Sequence, residues 1–538
     1  MNNTRKFLLG IVAVFLASRL ICLAAGMYDY SGPLRPPYYV APPYLLQTRL
    51  METLFYLHLQ PPLYNLWIGL LLKVFPGGAK AAYLVLSHAL GLAICLGLFA
   101  LMKRLKVPLL AAFVLTALFT LSPGLIHYER HIWHTFICGT FLVLAAVFLH
   151  RHLTRTGTID AAVYYFLLAA AVLTRTTFHF LWFLGAAAIP FIPAGRQWKK
   201  LIRAAALPFL LVLGWHVQHI WIFGYPTTSF SLGKQMLLMA IHEMPDEVLE
   251  EIVRKSEGKI IEKPTIFLPR PYEFAERFRE LPPTGIPALD WEYRYHTQPE
   301  HFNANHIAYL HMGREWQSDA RIIIPRAPRY FGRSVAFAAR DYFRPAEDIF
   351  RDDPNNPPPR WERIYDLFYG RFGSWGLITV RTQMVWIFDR RPAWFMLFGF
   401  PLLFVYGILA ARRRFSRDKP FSLTVIFILW TIFWVTSVIV LMTLGESMRY
   451  RSKIDPFYVA LLGFFLTDLA ARGRRRLTPL VRTQSDLPRV QGTDYHSGGE
   501  NNQPESKPRA EPGEPPGPPL PSASLIPRRN GAGSRPRT

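Results

Sequence analysis

Charge is scarce in this chain. Only 18% of its 538 residues are Asp, Glu, Lys or Arg, while 51% are hydrophobic. Soluble globular domains carry about 25% charged residues. The shortage argues against a soluble enzyme, and more strongly against a disordered or collagen-like chain. Cysteine is scarcer still. Cys22, Cys95 and Cys138 each lie inside an apolar run, and no CxxC spacing occurs. An odd number of such thiols is neither a disulfide framework nor a zinc site. Acidic residues number 37 against 61 basic ones, for a formal charge of +24. Nucleic acid is the reflex partner for that charge, but its placement in loops beside apolar runs and in a tail points to topology and anionic lipid instead. No HExxH, GxSxG, P-loop or GxGxxG element stands at a credible strand–helix junction. No internal repeat and no inverted pair of broken helices is present.

What the chain has in abundance is long apolar runs. A helix needs about 20 such residues to cross the hydrocarbon core. Runs at roughly 7–26, 79–102, 108–125, 132–150, 161–174, 177–193, 202–223, 392–411, 421–443 and 454–471 predict ten spans. A shorter run, 62–75, follows Gln60-Pro61-Pro62. As a helix it covers only about 21 Å, so it is read as interfacial or half-inserted. The first run reads as an uncleaved signal anchor. Basic groups at 5–6, 103–106, 151–155, 196–203, 412–419 and 472–476 all fall on one side of a ten-span bundle if 62–75 does not cross. The positive-inside rule then places both termini in the cytoplasm. Few Asn-x-Ser/Thr sites and no disulfides favour a bacterial inner (plasma) membrane over the endoplasmic reticulum.

The expected fold is an all-α multi-spanning membrane protein. Residues 1–223 form an N-terminal transmembrane module with a first loop at 27–61. Residues 224–391 form a mixed extracytoplasmic domain, with helices predicted near 245–253 and 326–343. Residues 392–471 are C-terminal spans. Residues 472–538 are a basic, Pro/Gly-rich cytoplasmic tail expected to be disordered.

Ionisable groups at membrane depth are costly, and usually paired or functional. The outer ends of the predicted spans carry Asp29, Glu52, His58, Gln60, Glu129, Arg130, His131, His134, Arg175, His179, Glu446, Arg449, Arg451 and Lys453. Arg175, Arg449 and Arg451 lie on the wrong side for topology signals. A guanidinium at that depth is suited to grip a phosphate in bidentate fashion, or it snorkels onto helix-end carbonyls. Glu52 falls off the Leu50/Leu54/Leu57 face and is one candidate general base; Asp29, directly after the first span, is the other. Each has a structural alternative as a solvated or helix-flanking carboxylate. Glu129, His131 and His134 have partial metal-ligand spacing without a clear third ligand, so a divalent metal is weighed but not required.

The stretch His58-Leu59-Gln60-Pro61-Pro62-Leu63-Tyr64-Asn65 resembles the His-Pro-Pro-Leu-Tyr element of the family 39-like GT-C glycosyltransferases, which include protein O-mannosyltransferases and aminoarabinose-lipid A transferases. The layout around it, an interfacial helix and then a span ending in Lys103-Arg104, is similar as well, and the likeness extends over about residues 1–470. The resemblance implies a GT-C bundle of about 10–11 transmembrane helices. It also implies inverting transfer from a polyprenyl-phosphate sugar to an acceptor hydroxyl on a glycan, lipid or protein, with an acidic first-loop residue, Glu52 or Asp29, as base. His58, Gln60, Glu129, Arg175, His179, Glu446, Arg449 and Arg451 would then bind substrate. The chain departs from the family in lacking an Asp-Glu pair ahead of the element and in placing Gln60 within it. A whole-glycan ligase, a lipid-linked saccharide transporter or flippase, and an inactive scaffold of the same fold are the competing readings.

Overall fold

The structure is a computed structural model. It describes residues 3–485 apart from 32, 35–36, 38, 226–228, 257–280, 296–297, 347–360, 362–363 and 366–392. The tail beyond 485 and much of the expected 224–391 domain therefore lie outside the described residues. The chain divides into two units, 1–476 and 477–538, and the helical bundle is the first of them.

Every apolar run is helical. In chain order the helices are α1 (Asn3–Ala24), α2 (Pro43–Thr48), α3 (Leu50–Phe55), α4 (Pro62–Val74), α5 (Ala79–Arg104), α6 (Leu109–Leu121), α7 (Pro123–Arg130), α8 (His134–Arg155), α9 (Thr158–Thr174), α10 (Phe180–Ala188) and α11 (Trp198–Phe223). The outer elements are α12 (Ser231–Ile241), α13 (Asp246–Arg254), α14 (Pro287–Asp290), an antiparallel hairpin of β1 (Tyr293–Tyr295) and β2 (Gln298–Phe302), α15 (Ile307–Arg326) and α16 (Pro328–Tyr342). The chain returns through α17 (Trp394–Arg414), α18 (Lys419–Met442), α19 (Ser447–Arg451) and α20 (Asp455–Ser485). The helices predicted near 245–253 and 326–343 are α13 and α16.

Among the described residues, seven helices are long and apolar enough to cross a membrane, or eight if α6 and α7 count as one span bent by 51°. Ten were expected. The two that fall short are α9 and α10, apolar but only 17 and 9 residues long; Pro190 closes α10 in a turn of 3-10 helix. The α6–α7 bend lies at Ser122-Pro123. Proline cannot continue the α6 ladder, and Ser122 turns extended and caps the new helix through the Leu125 amide, 3.3 Å away.

The basic loops share one end of the bundle. There Lys103 donates to Thr4 (3.2 Å), Lys106 pairs with Asp418, His150 meets Thr424 (3.1 Å) and Arg151 pairs with Asp160 (3.0 Å). At the opposite end Lys80 pairs with Asp29, and Tyr83 donates to the His131 carbonyl. Helix α4 begins at that end, with Tyr64 against the His134 ring, and runs out four residues before α5 begins at the same end. It therefore does not cross. It lies under α2 and α3, and Gly69 makes room for Leu50 and the Leu46 carbonyl. Buried threonines 116, 120, 140 and 424 hydrogen-bond the carbonyl four residues back, which keeps their hydroxyls satisfied in an apolar interior.

The His-Pro-Pro-like segment is pinned through its backbone. Five consecutive carbonyls, Phe55 to Leu59, each meet a partner from elsewhere: Gln218, Asn305, His219, the Phe230 amide and Ser229. Asn305 Oδ1 also accepts from the amides of His58 (2.9 Å) and Leu59 (3.2 Å). One asparagine of the outer domain thus ties it to the first loop. Asn305→Ala leaves the amides of His58 and Leu59 and the carbonyl of Tyr56 without that partner, at about 1 kcal/mol or more each. The expected loss is about 3 kcal/mol in chemical unfolding, with faster proteolysis of residues 50–61. On the outer side α12 crosses α15 at Gly233 and Gly313, where a Cβ on either would run into the other helix's backbone or its neighbours.

Candidate functional site

The break between α9 and α10 leaves Arg175 in an extended conformation, pointing at the first turn of α8. Its Nη1 meets His134 Nε2 and donates to Thr135 Oγ1 (3.2 Å), and its Nε donates to Thr177 Oγ1 (3.1 Å). From the other side the turn between α18 and α20 delivers Arg449, Tyr450 and Lys453. The Tyr450 ring meets two guanidiniums, with Arg175 at 4.1 Å and Arg449 at 4.5 Å from its centre. Arg449 also stacks on Trp133 at 4.5 Å. The first loop reaches the same place through Tyr39, edge-on to His134 at 4.5 Å.

Arg175, Arg449 and Lys453 are all buried. Among the described residues Glu446 forms an ion pair with Arg449, 2.6 Å away, and it accepts from the Tyr450 hydroxyl at 3.0 Å. It remains 37% exposed. Lys453 is 1% exposed, and among the described residues neither its ammonium nor His134 Nδ1 has a hydrogen-bond partner. Lys234 of α12 is in electrostatic reach of Glu446; burial pulls its ammonium down to about 8, against the pull of that carboxylate. Among the described residues the buried basic groups of the pocket outnumber its carboxylates, and a buried charge is costly unless it meets an anion. Two guanidiniums and an ammonium supply the forked and point-charge donors that suit a phosphate.

Beside this pocket opens an apolar cavity of about 390 Å³ between α5, α6, α7, α8, α17 and α20. Leu118, Leu125, Phe136, Phe400 and Tyr458 line it, and Ser452, Lys453 and Asp455 add polar groups to its wall. The α6–α7 bend shapes one wall through Ser122 and Gly124.

The other expected site residues lie apart from this pocket or serve packing. Arg451 does not join the cluster. It pairs with Asp455 (2.8 Å), donates to the carbonyls of Tyr342 and Arg344, and stacks on Phe400, so it fastens α16 to α20. Lys453, in the turn of 3-10 helix Ser452–Ile454 that follows α19, takes the place expected of Arg451. Glu129 is fully buried, and both its oxygens bond Arg19 of α1 (2.5 and 2.8 Å), with His88 at 3.2 Å. His58 is sealed against Phe223 and Phe230, its Nε2 2.9 Å from the Asn305 carbonyl. Burial, with His219 close by, pulls it down to about 3, so it is neutral at physiological pH. The Gln60 amide oxygen is buried without a hydrogen-bond partner among the described residues. His179 caps α10 and meets His216 edge-on.

Neither candidate base is linked to the cationic pocket by a hydrogen bond or ion pair among the described residues. Glu52 pairs loosely with Arg49, 3.5 Å away on the surface. Asp29 is 65% exposed; Lys80 at 2.5 Å and the Ser31 hydroxyl and amide hold its carboxyl well below the usual carboxylate range. Of the metal candidates, Glu129 faces Arg19, His131 bonds the His127 carbonyl (2.7 Å) and His134 faces Arg175. Among the described residues no three His, Cys, Asp or Glu side chains gather as metal ligands would.

No protein-family model matches the chain, and no curated protein does. Among solved structures it is similar to ArnT from Cupriavidus metallidurans in the apo state, with a TM-score of 0.30 and 15% identity over 84% of this chain and 76% of that one. It is similar also to the same protein bound to undecaprenyl phosphate, with a TM-score of 0.30 and 13% identity over 91% of this chain and 83% of the other. A likeness at that level carries no argument for fold or function.

Proposed function

We propose that this chain is an integral membrane glycosyltransferase of the GT-C kind. It would move a sugar from a polyprenyl phosphate to an acceptor hydroxyl at the membrane face opposite its basic loops. The observation that carries this reading is the convergence of buried Arg175, Arg449 and Lys453 beside an apolar cavity at the end of the bundle. A polyprenyl phosphate has that shape and charge: an anion at the membrane boundary and an apolar tail reaching into the hydrocarbon. The three cations hold the phosphate and stabilise the charge that grows on it as the glycosidic bond breaks. Glu446, beside Arg449, contacts the sugar. An acidic first-loop residue, Asp29 or Glu52, takes the acceptor proton, and direct displacement inverts the anomeric centre. The polyprenyl phosphate is itself the leaving group, so the scheme requires no nucleotide sugar, and side-chain cations meet the charge that departs with it. The positive-inside rule puts the basic end in the cytoplasm and the reaction outside a bacterial inner membrane.

The test is purified protein in detergent with a panel of radiolabelled polyprenyl-phosphate sugars, scored for binding and slow hydrolysis. Arg449→Ala is expected to weaken binding about 10- to 100-fold, the range for a lost charge-assisted hydrogen bond. Of Asp29→Asn and Glu52→Gln, one is expected to abolish transfer while leaving donor binding intact. If both leave transfer intact, the base lies elsewhere. Binding without hydrolysis or transfer favours the transporter, and no binding to any donor favours the scaffold.

A further inference from the structure

A second concave apolar surface lies on the outside of the bundle, at its basic end and away from the cationic pocket. Helices α17 and α18 run antiparallel and approach closely at Gly407, where an added Cβ would meet Leu429 at 2.9 Å. Close approach of the backbones leaves the flanking side chains as walls rather than filling. The floor is set back because Gly185 of α10 lets Trp430 sink inward, where its indole nitrogen donates to the Trp182 carbonyl at 3.2 Å. The groove between the walls measures about 640 Å³. Phe404, Ile408 and Phe415 line one side at helical spacing, with Ile426, Trp430 and Phe433 on the other. From residue 404 to 415 a helix rises about 16 Å, about half the thickness of a bilayer's hydrocarbon core. The groove therefore has the length of one leaflet.

Its mouth is charged. Arg412 lines the end of the groove, and Arg413 and Arg417 follow it, exposed. The carboxylates at this end are committed elsewhere. Asp418 pairs with Lys106 and caps the first turn of α18, and Asp468 serves Arg414, Arg472 and Tyr406. Among the described residues no ion pair engages Arg412, Arg413 or Arg417. An apolar slot one leaflet deep with unneutralised arginines at the headgroup level complements one kind of molecule. We propose that the groove holds an anionic two-chain phospholipid from the leaflet at the basic end, with acyl chains along the Phe404–Phe433 walls and the headgroup phosphate on Arg412 and Arg413. A zwitterionic lipid offers the same chains and phosphate but adds an ammonium that this rim repels. The proposal is independent of the glycosyltransferase reading.

The test is native mass spectrometry of the purified full-length protein titrated with phosphatidylglycerol or phosphatidylcholine of identical chains. Phosphatidylglycerol is expected to bind at least about 10-fold more tightly. The R412Q/R413Q variant is expected to lose about 30-fold in phosphatidylglycerol affinity, at about 1 kcal/mol per basic residue near an anionic surface, and to leave phosphatidylcholine unchanged. Phosphatidylglycerol brominated in its acyl chains is expected to quench a fluorescence component that disappears in W430F. Equal binding of the two lipids, a preference that survives R412Q/R413Q, or quenching unchanged by W430F would overturn the proposal. So would efficient disulfide cross-linking of a Phe433→Cys variant in native membranes, which would assign the groove to a second copy of the chain.

Discussion

Glu129→Ala is expected to destabilise this protein by about 3–5 kcal/mol, the cost of leaving a buried charge without its partner. Glu129 is fully buried, and its two oxygens accept from Arg19 in a two-pronged bond. Arg19 spends its remaining donors on Ser18 and the Thr120 carbonyl, 2.9 and 2.7 Å away. The carboxylate also faces His88, whose other ring nitrogen meets the Tyr30 hydroxyl at 2.9 Å. This chain of groups joins α1, α5 and α7 to the first loop. Helix α5 makes room for it at Gly91, where a Cβ would collide with the carboxylate. The measurement is chemical unfolding in detergent, with the double variant R19L/E129L as the companion. Removing both charges is expected to restore most of the loss, because the apolar pair carries no desolvation cost. A loss under about 1 kcal/mol for Glu129→Ala would mean that water reaches the pair.

Lys453→Met is expected to act in the opposite direction on stability. Its ammonium is buried beside Arg175 and Arg449 without a hydrogen-bond partner among the described residues, so a charge there is a burden on the folded state in the absence of an anion. An unbranched apolar side chain of similar length fills the same space. The variant is expected to gain about 1–4 kcal/mol in unfolding free energy, the range seen when buried charges give way to packed apolar groups. It is also expected to lose about 10- to 100-fold in affinity for a polyprenyl phosphate. A purely structural lysine would lose stability on this change and leave binding where it was. Opposite signs in the two assays are what separate a site from a scaffold.

Much of the helical framework is legible from apolar run length alone. Each run is a helix, and the 14 residues of 62–75 are too few to cross, in agreement with α4 starting and finishing at one end. The bend at Ser122-Pro123 interrupts a run that reads as continuous; only the proline signals it. The break between α9 and α10 is marked by Arg175-Thr176-Thr177-Phe178-His179, and the runs on either side of it, 161–174 and 177–193, are already shorter than the roughly 20 residues that a span needs. Side-chain partners separated by long stretches of chain are not readable at all. Arg19 and Glu129 stand 110 residues apart, and the carbonyls of the 55–59 segment find partners as distant as Asn305. Arg451 and Lys453 look alike in sequence. An Asp four residues after Arg451 marks it as the paired one, whereas the 3-10 turn that carries Lys453 to the side of Arg449 has no local signal.

The central claim is that the pocket and cavity beside Lys453 take a polyprenyl phosphate. The direct measurement is photolabelling of the purified protein with a polyprenyl phosphate carrying a diazirine in its first isoprene unit, followed by peptide mapping. The account predicts saturable labelling on the cavity walls, at peptides containing Leu125, Phe136 and Tyr458, competed by unlabelled polyprenyl phosphate and lost in Lys453→Met. Labelling that does not saturate, or that falls on the lipid-facing side of the bundle and survives Lys453→Met, would contradict it.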